Sequence, residues 1–186
     1  MIYKDFILKL RLLLILLIPS IAYSQFCPNA VVPPTTINGI KVTDTSTGSV
    51  STLSMTITSC NLYTTPTNSI LLGPQGAFTY TMNFSLPIDS LNFVLTQTGG
   101  GLSPPGFETF TFTTNTGIPS IIDQGSCFTT ITNNVINSGQ RTSGGGGDFT
   151  LVNAIPFTSL TISGPGGQAG SFFAVCSNSI DTRVDT

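Results

Sequence analysis

The stretch FTYTMNFSLPIDSLNF, residues 78–93, carries the clearest structural pattern in the sequence. Its first half has an apolar residue at every second position, namely Phe78, Tyr80, Met82 and Phe84. After Pro87 the alternation resumes with Leu91, Phe93 and Leu95. Side chains of a β-strand point alternately to opposite faces, so a period of two predicts strands with one face on a core and one in water. This stretch therefore predicts an all-β fold.

Similar alternation recurs outward from this stretch in both directions. It is present at residues 50–57 and 107–114, and again around Phe149, Leu151, Leu160, Ile162, Phe172, Phe173 and Val175. Turn-forming clusters rich in glycine, proline and asparagine separate these segments, with the spacing of a sandwich or barrel. We therefore predict a single antiparallel β-sandwich, jelly-roll-like, over residues 48–180. An irregular lead-in at 25–47 precedes it, and a short tail at 181–186 follows it.

One pattern occurs twice, 69 residues apart. Tyr80-x₆-Pro87-x₂-Ser90-Leu91 resembles Phe149-x₆-Pro156-x₂-Ser159-Leu160. Proline cannot donate a hydrogen bond to a β-ladder, so it belongs at a strand edge or at a corner between strands. The repeat predicts two similar strand corners in one sandwich, each with a strand ending near the proline and a new one beginning at Ser-Leu. A duplicated half-domain is the alternative.

The first 24 residues have the three parts of an export signal. Lys4, Lys9 and Arg11 are followed by the apolar run LLLILLI at 12–18, and Ala22-Tyr23-Ser24 offers small residues at a cleavage site. The run is shorter than the roughly 20 residues that span a bilayer. We predict a cleaved signal peptide over residues 1–24 and a secreted, extracellular or cell-surface product with no membrane span. The periplasm is the alternative compartment, and an uncleaved anchor is the alternative to cleavage.

The charge that follows residue 24 argues against nucleic acid as a partner. This part of the chain has three basic residues against seven acidic ones, a net charge of −4. A chain without a basic patch cannot neutralise phosphates, and anionic membrane surfaces are disfavoured for the same reason. The sparse charge comes with many apolar residues, so the composition also disfavours a disordered chain.

Four cysteines, Cys27, Cys60, Cys127 and Cys176, all lie beyond the leader. An even number in an oxidising compartment predicts two disulfides, each worth on the order of 2–5 kcal/mol. Zinc is the alternative, but no two cysteines have the close spacing of a zinc site and the sequence contains no histidine. Four cysteines allow three pairings, and the sequence does not choose among them.

The residue types disfavour an enzyme. The absence of histidine removes the Ser-His-Asp triad and the Cys-His pair. Glycoside hydrolysis needs two carboxylates flanking the bond, and Glu108 is the only glutamate, with no acid near it in sequence. We predict no enzymatic activity.

The sequence also offers candidate residues for Ca²⁺ binding and for glycosylation. Secreted β-sandwiches often hold Ca²⁺ in loops with carboxylate and carbonyl oxygens, and the candidates here are Glu108, Asp123 and Asp148, with Asp181 weaker. The alternative is no cofactor, with these acids acting as solvated loop residues or turn formers. The triplet Asp89-Ser90-Leu91 matches a short bacterial O-glycosylation motif, which makes Ser90 a candidate attachment site.

Residues 78–112 resemble secreted β-sandwich domains of bacterial surface and adhesin-like proteins. Those domains contain F-x-F-x-x-P-[VI]-x-x-L-x-F and then E-T-F-x-F; here the stretches are FTYTMNFSLPIDSLNF and ETFTF. The segment FTSLTISGPGGQAGSFFAVCSNSI, residues 157–180, resembles the closing strands of such a domain. The resemblance implies a jelly-roll or galactose-binding-like sandwich with roles in adhesion or glycan contact, and it transfers no functional residue.

Two functional hypotheses follow. The first is a non-enzymatic, secreted or cell-surface sandwich with a structural or adhesive role, whose partner is a surface protein or an extracellular glycan. The second is a carbohydrate-binding module, assisted by Ca²⁺ or metal-free. Since the sequence contains no tryptophan, the second hypothesis relies on Tyr63, Tyr80 or loop phenylalanines to stack against sugars.

Overall fold

The computed structural model describes residues 27, 29–54, 58–59, 63–64, 68–99, 108–138, 144–167 and 169–181. These residues form β-strands and no helix. The strands, in chain order, are β1 Ala30–Val31, β2 Thr35–Ile37, β3 Ile40–Gly48, β4 Val50–Ser54, β5 Thr58–Ser59, β6 Tyr63–Thr64, β7 Asn68–Leu72, β8 Phe78–Thr98, β9 Thr109–Thr114, β10 Ser120–Cys127, β11 Thr129–Thr132, β12 Val135–Ser138, β13 Gly145–Gly164 and β14 Ser171–Asp181. The all-β prediction is confirmed.

Twelve of these strands form one antiparallel sheet, which the long strands β8 and β13 divide into two layers. The front layer has the order β2-β3-β8-β13-β9-β12-β11 and uses residues 78–84 of β8 and 159–164 of β13. The back layer has the order β10-β13-β8-β14-β7-β4 and uses residues 90–98 of β8 and 145–152 of β13. Strand β1 extends the back layer beside β14, and β5 and β6 form a separate ribbon.

The bends in β8 and β13 lie at the repeated proline pattern. Ile88 pairs with Phe157, and the register shifts on both sides of this pair. Residues 85–87 and 154–156 are exposed, whereas the residues that follow them, Ile88 and Phe157, are buried. The expectation of two similar corners is confirmed, but the expectation that one strand ends and another begins there is wrong. Each strand continues through its proline because the bend removes ladder bonds only locally.

The core lies between the two layers and is rich in phenylalanine. The Phe93 ring, on the back-layer part of β8, lies 5.0 Å from Phe112 of the front layer, centroid to centroid. It also lies 5.4 Å from Phe149 and 5.7 Å from Phe173. Tyr80 of the front layer contacts Phe173 at 6.0 Å. The layers therefore face each other across a continuous aromatic core, which is the arrangement of a β-sandwich. The jelly-roll-like strand order stays a prediction.

The expectation of an irregular lead-in at residues 25–47 is wrong for most of its length. Strands β2 and β3 form a hairpin around Asn38-Gly39, whose φ angles are +50° and +81°. Asn-Gly is the preferred sequence of a two-residue hairpin that needs positive φ at both positions. Strand β3 continues along β8, with Val42 opposite Phe84 and Gly48 opposite Phe78. The predicted domain boundary at residue 48 therefore falls at the end of a strand of the main sheet.

Some strands and core positions differ from those that the alternation of apolar residues predicts. Leu53, expected on a core face of the first strand, is exposed on β4, and Met55 and Ile57 lie outside the described residues. Strands β10, β11 and β12 have few large apolar residues, and alternation did not identify them. Asp181, assigned to a tail, is the last residue of β14. The leader at 1–24, the rest of the tail at 182–186 and Phe107 lie outside the described residues.

The structure identifies both partners of one disulfide. Cys27 and Cys176 form a disulfide with a Cα–Cα distance of 5.2 Å, which links the segment before β1 to β14. This bond excludes the two pairings in which Cys27 is joined to Cys60 or to Cys127. Cys127 is also disulfide-bonded, and Cys60 lies outside the described residues.

We expect Phe93→Ala to lower the free energy of unfolding by about 3–5 kcal/mol, because the side chain contacts aromatic rings of both layers and its loss leaves a cavity. Urea denaturation followed by circular dichroism measures the change. The matched control is Phe128→Ala, whose side chain is 45% exposed and whose loss costs less than about 1 kcal/mol. Equal losses in the two variants would contradict the assignment of Phe93 to the centre of the core.

Candidate functional site

Glu108 is a buried clamp at one end of the sandwich. It lies directly before β9 and is 3% exposed. Its Oε2 accepts hydrogen bonds from the Gly99 N–H at 2.9 Å and from the Ser171 hydroxyl at 2.5 Å. Its backbone carbonyl accepts from the N–H and the hydroxyl of Ser138, both at 2.9 Å. Glu108 therefore joins the ends of β8, β9, β12 and β14.

Gly167 packs closely against the other carboxylate oxygen of Glu108, Oε1. A Cβ atom at Gly167 would lie 2.3 Å from Oε1, so only glycine allows this close approach. Burial raises the pKa of Glu108 above its ordinary value, while the hydrogen bonds from Ser171 and Gly99 lower it. With both oxygens in close contact with neighbouring segments, this carboxyl group serves to hold strands together.

Asp148 is buried on the opposite side of the back layer from the core. It lies on β13 opposite Val94 of β8 and next to the core residue Phe149. Val94, Cys27 and Cys176 form a second, small apolar cluster, and alternation along β8, β13 and β14 places Asp148 on the same face as this cluster. Burial raises the pKa of Asp148 to about 6, because removal from water disfavours the charged form.

Asp123 is a turn former on an exposed strand. It lies on β10, where the register with β13 shifts between Asp123 and Gly125. Its Oδ1 accepts a hydrogen bond from the Gly125 N–H at 2.8 Å, and its Oδ2 accepts from the Ser126 hydroxyl at 2.5 Å. Aspartate side chains commonly stabilise local turns in this way. These bonds occupy both carboxylate oxygens within the β10 bulge.

The three acids predicted as Ca²⁺ ligands occupy three different environments. Val94, opposite Asp148, and Gly99, which binds Glu108, are five residues apart along β8, up to roughly 16 Å of extended strand. Within the described ranges, no group of three or more His, Cys, Asp or Glu side chains is placed to hold a metal ion. The Ca²⁺ hypothesis therefore stays a prediction, and no cluster of ligands among the described residues supports it. The side chain of Asp181 lies outside the description.

The structure places the predicted glycosylation residue Ser90 and one of the two predicted stacking tyrosines, Tyr80. Ser90 is half-buried within β8 and is opposite both Val152 and Asp181. Tyr80 is fully buried in the core, so it is unavailable for stacking against a sugar. The Tyr63 side chain lies outside the description. Phe128, between β10 and β11, is exposed. It is the one loop phenylalanine in the described ranges whose ring is accessible for stacking against a sugar.

Sequence reasoning missed three exposed aliphatic side chains in segments near the bend of the sandwich. Leu86, Ile118 and Ile155 are 54%, 72% and 58% exposed. Each of them directly precedes a proline, in Leu86-Pro87, Ile118-Pro119 and Ile155-Pro156. The residue before proline is held in an extended conformation, and proline does not donate to a ladder. The three aliphatic-proline dipeptides are the signal that identifies this surface, which we name the apolar corner.

Pairing and hydrogen bonds bring the three segments of the apolar corner together. Leu86 and Ile155 are each two residues from the paired residues Ile88 and Phe157. Ile118 follows the β9–β10 turn, in which the Thr116 hydroxyl donates to the Ile155 carbonyl at 3.1 Å. The three segments therefore meet at the bend of the two long strands.

Two asparagine side chains brace this corner. Asn153 Nδ2 lies 2.8 Å from both the Thr116 hydroxyl and the Ile155 carbonyl, to which it donates. Asn115 Oδ1 accepts from the N–H groups of Thr158 and Ser159 at 3.0 and 3.1 Å. These bonds hold the turn and both sides of the β13 bend in one arrangement. Ile118 and Ile155 therefore project from a preorganised backbone.

Comparison of the chain with protein-family models, with curated proteins and with solved structures finds no match. Across the part of the chain that the structure describes, no helix has the length and apolar character needed to cross a membrane.

We expect Asp148→Asn to raise the free energy of unfolding at pH 7.5 by roughly 1–2 kcal/mol, because the folded state no longer has to bury a charge. The folded-state pKa of about 6 exceeds the ordinary value of 3.8, so the folded protein binds the proton more tightly. Its stability therefore rises as pH falls from about 6 towards 4. Urea midpoints at pH 7.5 and 4.5 test this: the variant should lose most of this difference, and an unchanged difference would contradict it.

Glu108→Ala should cost about 2–4 kcal/mol, since it leaves the Gly99 N–H and the Ser171 hydroxyl buried without an acceptor. Glu108→Gln should cost less than about 1 kcal/mol because the amide oxygen accepts the same two bonds. Thermal and urea unfolding of both variants measure the difference. Equal losses would argue against a clamp that depends on hydrogen-bond acceptance.

Proposed function

We propose that this protein is an exported, non-enzymatic β-sandwich with a structural or adhesive role, and that it binds a protein surface through the apolar corner. The observation that carries the proposal is the exposure of Leu86, Ile118 and Ile155 at one braced site. Single exposed aliphatic side chains are ordinary. Three of them in segments that meet at one bend favour an interaction surface there.

The export part of the proposal rests on the leader and on the cysteines. Residues 1–24 have the organisation of a signal peptide. The Cys27–Cys176 disulfide and the bonded state of Cys127 fit an oxidising compartment, where such bonds persist. Secreted and cell-surface locations both meet these conditions.

The non-enzymatic part rests on how the acids are used. Both oxygens of Glu108 are enclosed, by Ser171 and Gly99 on one side and by Gly167 on the other. Asp123 is bonded within its own turn. A carboxylate pair for acid-base work needs two acids facing one space, and these two acids do not provide it.

The apolar corner suits a protein partner more than a sugar. Leu86, Ile118 and Ile155 are aliphatic and present no flat ring for stacking. Asn153 and Asn115 already hold the segments that carry Ile118 and Ile155, so binding there orders little additional structure, and a smaller entropic cost favours affinity. Apolar side chains at the centre of an interface, surrounded by polar residues, are a common feature of protein–protein contacts.

Carbohydrate binding is the second candidate, and Phe128 is the observation that favours it. This side chain is exposed and has a φ of +55°, an uncommon conformation for a bulky residue. An aromatic ring in such a position can stack on the apolar face of a sugar. The site is separate in sequence from the apolar corner, so the two candidates can be tested independently.

The test is binding of fluorescently labelled chain, starting at Gln25, to the surface of the cells that produce it. We expect Ile118→Ser and Ile155→Ser each to weaken binding by about tenfold, because an apolar anchor in an interface is worth more than about 1 kcal/mol. The matched control is Ile122→Ser on β10, an exposed isoleucine outside the corner. We expect the control to bind like the unchanged protein.

Treatment of the cells separates the two candidates. Protease treatment of the cell surface should abolish binding if the partner is a protein. Binding that survives protease, is lost after periodate oxidation of surface glycans and is reduced by Phe128→Ser would favour the carbohydrate candidate. Binding that is unaffected by both isoleucine variants would overturn the role of the apolar corner.

A further inference from the structure

A β-sandwich ends in edge strands, whose outward backbone groups have no ladder partner. The front layer ends in β2 and β11, and the back layer ends in β4 and β10 among the strands described. Strands β10 and β11 lie on the β13 side of the molecule, whereas β4 and β2 lie on the β8 side. Each flank of the sandwich therefore has one edge from each layer.

One edge on each flank carries a known guard against pairing with another chain. Strand β10 contains Asp123 and a register shift between Asp123 and Gly125, and charge and bulges both discourage edge pairing. Strand β2 has three residues and directly follows Pro33-Pro34. The short strand β1, also on the β8 side, has two residues. These edges offer little to a partner strand.

The other two edges, β4 and β11, carry no such guard. Strand β4 reads VSTLS and β11 reads TTIT, without charge, proline or glycine. Their pairings with β7 and β12 run without a register shift. Thr52 on β4 and Thr130 on β11 are exposed. Both strands are rich in threonine and aliphatic residues, which favour β-structure.

The register of β4 shows which backbone groups face outward. The Gly73 N–H donates to the Ser49 carbonyl at 2.7 Å, which makes Ser49 and Gly73 a hydrogen-bonded position of the antiparallel ladder. Such positions alternate along the strand, so Ser51 and Leu53 bond to β7, while Val50, Thr52 and Ser54 direct their N–H and C=O groups to the free edge. A partner strand would pair with this second set.

We propose that β4 of one copy of this protein pairs with β11 of a second copy, so that copies join head to tail into open chains. The occupant is a second copy because the two unguarded edges lie on opposite flanks, have similar lengths and bear no charge. The chain after residue 24 has ten charges in total, so few charges oppose self-association. A contact between two different surfaces of identical copies gives an open chain, unless the rotation between neighbouring copies closes the assembly into a ring.

Association through β4 and β11 does not use the apolar corner. A chain built through β4 and β11 leaves the bend of β8 and β13 to bind another protein. Self-association and binding through the corner are therefore separate properties, and the failure of one leaves the other standing.

Light scattering coupled to size-exclusion chromatography on the chain starting at Gln25 tests the inference. We expect the average mass to grow without a fixed limit from about 1 µM to about 1 mM. Thr52→Lys and Thr130→Lys should each weaken association by at least about tenfold. Thr52→Pro should do the same by removing an outward N–H that the β4–β7 ladder does not use. The control, Asn83→Lys, is exposed on β8 between paired strands and should associate normally.

Mixing the variants gives the decisive result. A Thr52→Lys copy retains an open β11 edge, and a Thr130→Lys copy retains an open β4 edge, so an equal mixture should form heterodimers and nothing longer. Circular dichroism of each variant confirms that it is folded. A protein that stays monomeric at about 1 mM, or one in which Thr130→Lys associates normally, would overturn the proposal; the latter result would indicate pairing of β4 with β4.

Discussion

The pairing of β8 with β13 is the constraint on which the rest of this structure depends. Both strands pass from the front layer into the back layer, and Ile88 opposite Phe157 marks the place where they bend together. Every other strand of the front layer is attached to this pair, directly or through a neighbour, and so is every other strand of the back layer. Because the bend interrupts the ladder on both strands, it also exposes Leu86 and Ile155 of the apolar corner. The same bend thus produces both the layered core and most of the apolar corner.

The all-β class and much of the core were predictable from alternation alone. Phe78, Tyr80, Met82 and Phe84 all face the core as the period of two requires. Alternation failed where a strand is an edge, because an edge strand such as β4 can expose Leu53 without losing its ladder. It also failed at residues 35–42, where the Asn38-Gly39 turn interrupts the count of apolar positions. There the turn chemistry was the stronger signal.

The candidate sites were less predictable than the fold. Residue type alone singled out Glu108, Asp123 and Asp148, but the roles of these acids depend on partners that are distant in sequence. Ser171, which binds Glu108, is 63 residues away, and no local pattern indicates that contact. The apolar corner had a signal in the three aliphatic-proline dipeptides. Its interpretation required knowing that β8 and β13 bend side by side, which alternation does not reveal.

The position of β14 has a consequence for how the protein matures. This strand lies between β8 and β7 in the back layer, and it carries the cysteine that bonds to Cys27. A nascent chain that has grown only to Gly170 has β7 and β8 but lacks the strand that joins them, and its Cys27 thiol has no Cys176 to meet. The back layer is therefore completed, and linked to the segment before β1, only once β14 has been synthesised.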